Sequence, residues 1–253
     1  VNKMDRPGAD FLRVVCDIRD RLEATPVPVQ LPLGSEERFE GVIDLVAMKA
    51  VRWDESTLGV RFVTDEIPAA LAAEAATHRA RLVEAAVEGD EQLLEAYVQR
   101  GSLTENEIRA GLRARCLRGE IVPVLCGSAF RNKGVQALLD AVVHYLPAPG
   151  DRPAVRGVGP GGAELERQPS DKAPFAAFAF KIANDPIDGS LAFFRVYSGV
   201  LRVGDDVYIP QKNRTETVER LVQLHANERS ELKEVRAGDI AAAVGLPGVA
   251  TGD

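Results

Sequence analysis

Cysteine is scarce in this sequence and poorly spaced for chemistry. Cys16, Cys116 and Cys126 form no CxxC pair and are an odd set. That pattern gives no support to a metal knuckle or a disulfide framework and reads as reduced thiols. Long apolar runs are missing too, so no segment is expected to span a bilayer. There is no initiating Met and no charged-then-apolar leader. The chain opens on Val1-Asn2-Lys3-Met4-Asp5, which reads as the end of a buried strand entering a loop, and therefore as a fragment. Positive charge is not in excess. Lys and Arg number 31 against 38 Asp and Glu, a formal net charge of −7. An acidic average argues against coating bare nucleic acid and does not bear on local basic patches. No internal repeat is evident. What is present is ordinary globular composition: 253 residues, 45% hydrophobic and 27% charged, enough for one large domain or two modest ones.

Periodicity divides the chain. Residues 10–22 carry Phe11, Val14, Val15, Ile18 and Leu22 at helical spacing, with Asp10 as N-cap. Thr25-Pro26-Val27-Pro28 breaks that helix. Short apolar stretches at 29–33, 41–46, 51–53 and 60–63 read as strands. Helices return at Ile67, with Pro68 in the first turn. Leu71, Ala75, Leu82 and Ala86 form one apolar side, and Leu93, Leu94, Tyr97 and Val98 another. Thr104 and Glu107 spell a capping box for a third helix, with Ile108, Leu112 and Cys116 inward. Residues 121–126 are almost wholly apolar, as expected of a strand covered on both faces. A loop at 127–130 precedes an amphipathic helix bearing Val135, Leu138, Leu139, Val142, Val143 and Leu146 on one side. Residues 147–174, rich in Pro and Gly, read as a linker. Beyond it the period is two, with strands expected at 175–182, 191–198, 200–203, 206–209, 217–225 and 240–244. That is an all-β barrel pattern.

Two elements carry chemistry. Asn2-Lys3-Met4-Asp5 fits N-K-x-D. The Asp5 carboxylate can accept hydrogen bonds from the ring N–H and the exocyclic amine of guanine, donors that adenine lacks. In a dry pocket such pairing can discriminate by roughly 10⁴. Asn2 can reach the opposite edge of the base, and the Lys3 methylenes can lie across its face. Taken alone, the four residues equally suit a helix-capping turn. Ser128-Ala129 follows an apolar strand and precedes a helix. In guanine-nucleotide proteins such a pair offers a backbone N–H to the guanine oxygen, and the serine braces the aspartate. An ordinary strand-to-helix turn has the same appearance.

The stretches NKMDRPGADF, LPLGSEERFEGVIDLVAMKA, IVPVLCGSAFRNKGVQALLDAVVHYLPAP, FFRVYSGVLRVGD and AGDIAAAVGL together resemble bacterial elongation factor G over nearly the whole chain. Peptide-chain release factor three and the tetracycline-resistance ribosome-protection proteins share the first motif but match the segment between the motifs less well. Pro7 and residues 211–216 depart from the family pattern without touching the guanine contacts.

The resemblance implies the C-terminal part of a P-loop-type GTPase domain at 1–22 and 120–150, with an α+β insert at 23–119. A linker at 151–174 and a translation-factor β-barrel at 175–253 follow. It implies guanine contacts from Asn2, Lys3, Asp5, Ser128 and Ala129, a GTP or GDP cofactor, and a cytoplasmic ribosome-dependent GTPase that moves tRNA and mRNA. The phosphate loop GxxxxGK[ST] and the switch segments that hold Mg²⁺ are absent from these residues. Hydrolysis by this chain is therefore not expected, and no catalytic or metal-binding residue is assigned. Implied partners are a ribosomal stalk protein and small-subunit RNA. The stalk protein would meet the acidic insert, through Glu74, Glu84, Glu88, Asp90, Glu91 and Glu95. The RNA would meet the barrel at Lys212, Arg214, Arg220, His225 and Arg229. Both sets are also compatible with solvated surface charge. A non-catalytic ribosome-binding module and a pseudo-GTPase paralogue stand as alternatives.

Overall fold

The computed structural model describes residues 1–159, 162–185, 189–226 and 228–253. Pro160 and Gly161, within the expected linker, lie outside the described residues. The chain divides into two compact units, Val1–Leu146 and Pro147–Asp253.

In the first unit, α1 spans Phe11–Leu22 and is capped by the Asp10 carboxylate, which accepts from the Arg13 N–H at 3.0 Å. Strand β1, Pro26–Pro28, comes next, where a simple break was expected. It pairs in parallel with β6, Val122–Val124. Two prolines are tolerated because this is an edge strand whose remaining side needs no donor. Between them, β2 (Gln30–Leu33), β3 (Gly41–Asp44), β4 (Lys49–Trp53) and β5 (Phe62–Asp65) form an antiparallel meander in that order. Three helices follow: α2 (Ala69–Val87), α3 (Glu91–Arg100) and α4 (Glu105–Leu117). Helix α5, Val135–Tyr145, closes the unit.

The core joins Phe11, Val27, Leu31, Ile43, Trp53, Ala75, Leu82, Ile108 and Leu112 in one cluster. Helices α2 and α4 approach closely at Gly111, where a Cβ would lie 2.2 Å from the Ala86 carbonyl oxygen. Buried Arg115 fastens the same contact. It donates to the Ala85 carbonyl at 2.9 Å, to Glu88 at 2.6 Å and to Glu120 at 3.1 Å. Arg79 ties α2 to the sheet by bonds to the carbonyls of Leu45 and Val46.

The faces of α3 and α5 differ from expectation. Helix α3 buries no residue. Helix α5 buries Ala141 and Tyr145, while Leu138, Leu139, Val142, Val143 and Leu146 are exposed. The described residues provide only a two-stranded parallel sheet there, so the broad apolar side of α5 has nothing to cover.

In the second unit, the Pro/Gly-rich stretch is not featureless. It holds a hairpin of β7 (Val155–Val158) and β8 (Glu164–Arg167). Then come β9 (Ala176–Asp185), β10 (Gly189–Ser198), β11 (Val200–Arg202), β12 (Asp206–Ile209), β13 (Arg214–Thr217), β14 (Arg220–His225), β15 (Glu228–Leu232), β16 (Glu234–Arg236) and β17 (Ile240–Val244). An antiparallel sheet runs in the order β15-β14-β17-β10-β9, with β11–β16 and β12–β13 as separate ribbons. Phe194, Val196, Leu201, Val218, Leu221, Val235 and Ala241 form the core between sheet and ribbons, a barrel-like arrangement.

The capping box of α4 is formed as the sequence spells it. Thr104 Oγ1 accepts from the Glu107 N–H at 3.3 Å, and Glu107 accepts from the Thr104 N–H at 2.8 Å. Arg100 also donates to Glu107 at 2.7 Å, and this bond, then those from Thr104, hold the carboxyl down at about 2. A depressed carboxyl pKa stabilises above its ordinary value and loses that contribution as pH falls. Glu107→Gln should therefore lower the urea midpoint at neutral pH. The gap from wild type should close between about pH 4.5 and pH 2.

Candidate functional site

The first five residues lie against the exit of β6. The Val1 amine donates to the Leu125 carbonyl at 2.6 Å, Gly127 N–H to Val1 at 3.0 Å, and Met4 N–H to Gly127 at 3.1 Å. Met4 is buried and anchors the turn. Lys3 is exposed and adopts φ 63°, a left-handed conformation that a side chain accepts only at a cost. This turn brings Asn2 and Asp5 to the loop after β6.

That loop is closed by reciprocal bonds between Ser128 and Lys133. Ser128 N–H donates to the Lys133 carbonyl at 2.9 Å, and Lys133 N–H returns the bond at 3.0 Å. Within it, Ala129–Arg131 makes one 3₁₀ turn. Ser128, fully buried, donates its hydroxyl to Asp5 Oδ1 at 2.6 Å. The Ala129 N–H donates to Asn2 Oδ1 at 3.0 Å. The two motifs thus meet residue by residue across 123 and 127 positions of chain. One detail differs from expectation. Ala129 N–H, foreseen as a donor to a purine oxygen, is engaged by Asn2, so serving a purine requires sharing that N–H or turning the Asn2 amide.

The Asp5 carboxyl is held below its ordinary range. The Ser128 hydroxyl is the main cause, burial opposes it, and the Asp5 backbone N–H, Arg131 and Arg6 assist. Arg131 Nε lies 3.5 Å from Asp5 Oδ2. Sequence reasoning missed Arg131, and it also missed Lys133, whose buried ammonium donates to the Phe39 carbonyl at 2.8 Å. A buried lysine has no signature in a single sequence, since its type is normally exposed. Residues between α1 and β6, and the start of α5, tie the site from other directions as well. Glu36 N–H donates to the Met4 carbonyl at 2.9 Å, and its carboxylate accepts from Gly8 N–H at 2.7 Å. Asn132 donates to Leu58, Gln136 to Gly59, and the Trp53 indole to Gln136.

Two family models match this sequence. The elongation factor Tu GTP-binding domain covers residues 1–148, and elongation factor Tu domain 2 covers residues 189–253. The chain belongs to the elongation factor Tu GTP-binding domain family. Among solved structures it is similar to a protein of Thermus thermophilus, with 27% identity and a TM-score of 0.79. That match takes in 100% of this chain and 34% of the other, so the chain spans about a third of that protein's length. The GTP-binding family covers the whole Asp5–Ser128 site, and the domain 2 family covers most of the β-rich unit. This agrees with the fold class read from the sequence. The first of these families is described as GTP-binding.

The side chains present suit a purine base: an ionised carboxylate, an amide and an exposed aliphatic stem converge at one turn. Among the described residues, no group of three or more His, Cys, Asp or Glu is placed to hold a metal ion. Among them, too, no helix is long and apolar enough to cross a membrane.

Removing the Ser128 hydroxyl leaves a buried carboxylate oxygen without its shortest bond. Ser128→Ala should raise the Asp5 pKa in a carboxyl-carbon NMR titration. The variant should lose stability above about pH 4 and converge on wild type below it, since protonated Asp5 no longer needs the bond.

Proposed function

We propose that this chain is part of a ribosome-dependent translocase GTPase of the elongation factor G kind, which promotes movement of tRNA and mRNA. In this reading Asn2, Lys3, Asp5, Ser128 and Ala129 recognise guanine. The observation that carries it is the 2.6 Å bond between Ser128 and Asp5, which fixes the carboxylate beside the Asn2–Ala129 contact. A carboxylate so fixed is a matched acceptor for the paired N–H donors of guanine. The elongation factor G identity rests on the resemblance of the insert and of the FFRVYSGVLRVGD stretch.

Phosphoryl transfer depends on a phosphate loop, Mg²⁺ and a positioned water. This sequence has no GxxxxGK[ST]. We therefore assign these residues to reading the base and assign none to cleaving phosphate. The chain should bind guanosine in preference to adenosine, weakly, and should show no magnesium-dependent GTP hydrolysis above a blank. Asp5→Asn, which offers a donor where the carboxylate accepted, should shift the preference from guanosine to xanthosine, whose C2 oxygen replaces the amine. Equal binding of guanosine and adenosine by the wild-type chain would remove the guanine assignment.

Partner contacts follow from the insert. A cleft of ≈ 760 Å³ opens between α2 and α3, with Glu84, Glu88, Asp90 and Glu91 beside Leu94 and Tyr97. An acidic rim over apolar side chains suits a basic protein surface, and we assign it to a ribosomal stalk protein. Reversing Glu84 and Glu91 to Lys should slow association with isolated stalk protein several-fold and weaken its salt dependence. An unchanged rate constant would retire the assignment.

The barrel cations support RNA binding less well. Lys212 pairs with Asp253 at 2.9 Å, Arg220 with Glu231 at 2.9 Å, Arg229 with Asp185 at 2.5 Å, and Arg214 with Glu216. Phosphate would have to displace these carboxylates, so we assign them a minor share of small-subunit RNA contact.

A further inference from the structure

Asp5 has two carboxylate oxygens, and both are engaged within the chain. Oδ1 accepts the Ser128 hydroxyl at 2.6 Å, and Oδ2 faces Arg131 Nε at 3.5 Å. A guanidinium presents planar N–H donors to a carboxylate. The Watson–Crick edge of guanine presents the same kind of array, a ring N–H beside an amine. The guanidinium and the base therefore ask for the same acceptor.

From this geometry we infer that Arg131 is a specificity-determining residue that competes with guanine for Oδ2 of Asp5, so that the base binds by exchange with the guanidinium. The inference rests on the guanine reading above. The contact suits exchange. At 3.5 Å it is longer than the roughly 2.7–2.9 Å of a tight charge-assisted bond. The Arg131 side chain is 42% exposed while that of Asp5 is 8% exposed. Arg131 is thus partly in water, and Asp5 is held by Ser128. Arg131 stands at the end of the 3₁₀ turn that begins at Ala129, and Asn132 follows in a left-handed conformation. Its backbone is fixed by the same loop that fixes Ser128, so the exchange is one of side-chain position.

The exchange has an electrostatic signature. Guanosine is neutral, so salt has little direct effect on its binding. Salt does weaken a partly exposed ion pair. Guanosine affinity of the wild-type chain should therefore rise with added salt.

The test titrates guanosine and adenosine into the full 253-residue chain, followed by the amide NMR signals of Asp5 and Ser128, at low and high salt. Arg131→Ala should bind guanosine about threefold more tightly at low salt, the scale of a partly exposed ion pair. Its affinity should be insensitive to salt. Arg131→Lys keeps the charge and should retain the wild-type salt trend, which separates competition from damage to the loop. Equal or weaker guanosine binding by Arg131→Ala, with its spectrum otherwise intact, overturns the competition and leaves the guanine reading standing. If Arg131→Ala perturbs the loop, loss of the salt trend in Arg131→Lys overturns it instead. No preference for guanosine over adenosine in any of the three chains overturns both.

Discussion

The hydroxyl of Ser128 reaches the Asp5 carboxylate across 123 residues of chain, and the candidate site exists only because that bond can form. Neither partner is placed by its own helix. Asp5 belongs to a turn pinned by buried Met4, and Ser128 to a loop closed upon Lys133. Each side is locally well determined, so the bond joins two preorganised pieces and orders little new chain. A buried carboxylate would otherwise carry a large desolvation penalty. Here the hydroxyl outweighs it, and the carboxyl is held ionised.

The segment between α1 and β6 is more than an appendage to this pair. Its β2–β3 connection supplies Glu36 to the Met4–Gly8 turn and the Phe39 carbonyl to Lys133. Its β4–β5 connection supplies carbonyls of Leu58 and Gly59 to Asn132 and Gln136. One cluster of buried side chains runs through strands, helices and the site-bearing turn together. Displacement of these connections would therefore be felt at the loop through bonds and packing alike. That is a physical link between these strand connections and the loop after β6. Coupling of this kind needs an element with two arrangements, and packing alone does not supply one.

Much of this was legible in residues. Thr104 and Glu107 announced their box because both partners lie within four positions. Asp10 announced its cap for the same reason. The meeting of Asn2-Lys3-Met4-Asp5 with Ser128-Ala129 was legible as a motif pair, though its distances were not. What escaped was non-local or polar. Pro26–Pro28 reads as a break, and only its pairing with Val122–Val124 makes it a strand. Glu228–Leu232 has no apolar alternation because β15 is the outer strand of its sheet, and so it gave no strand signal. Arg115 and Lys133 are buried against type, each by partners distant in sequence. Helix α5 shows the converse. Its apolar face was read correctly as a pattern, but a pattern does not say whether a neighbour is present to cover it.

If Asp5 reads guanine as proposed, its internal satisfaction also limits how sharply the site can discriminate. Strong rejection of a wrong base requires that the wrong base strand a polar group in a dry pocket. Asp5 is not stranded when adenine approaches, because Ser128 holds one oxygen and Arg131 attends the other. The penalty for the wrong base is then smaller than the roughly 10⁴ expected of a carboxylate with no alternative partner. The gain for the right base is smaller too, since guanine replaces a contact already made. A site built this way trades affinity for a carboxylate that keeps its charge and position at all times. Steep selectivity would require Arg131 to withdraw from Asp5 as the base enters, and 42% of its side chain already lies in water.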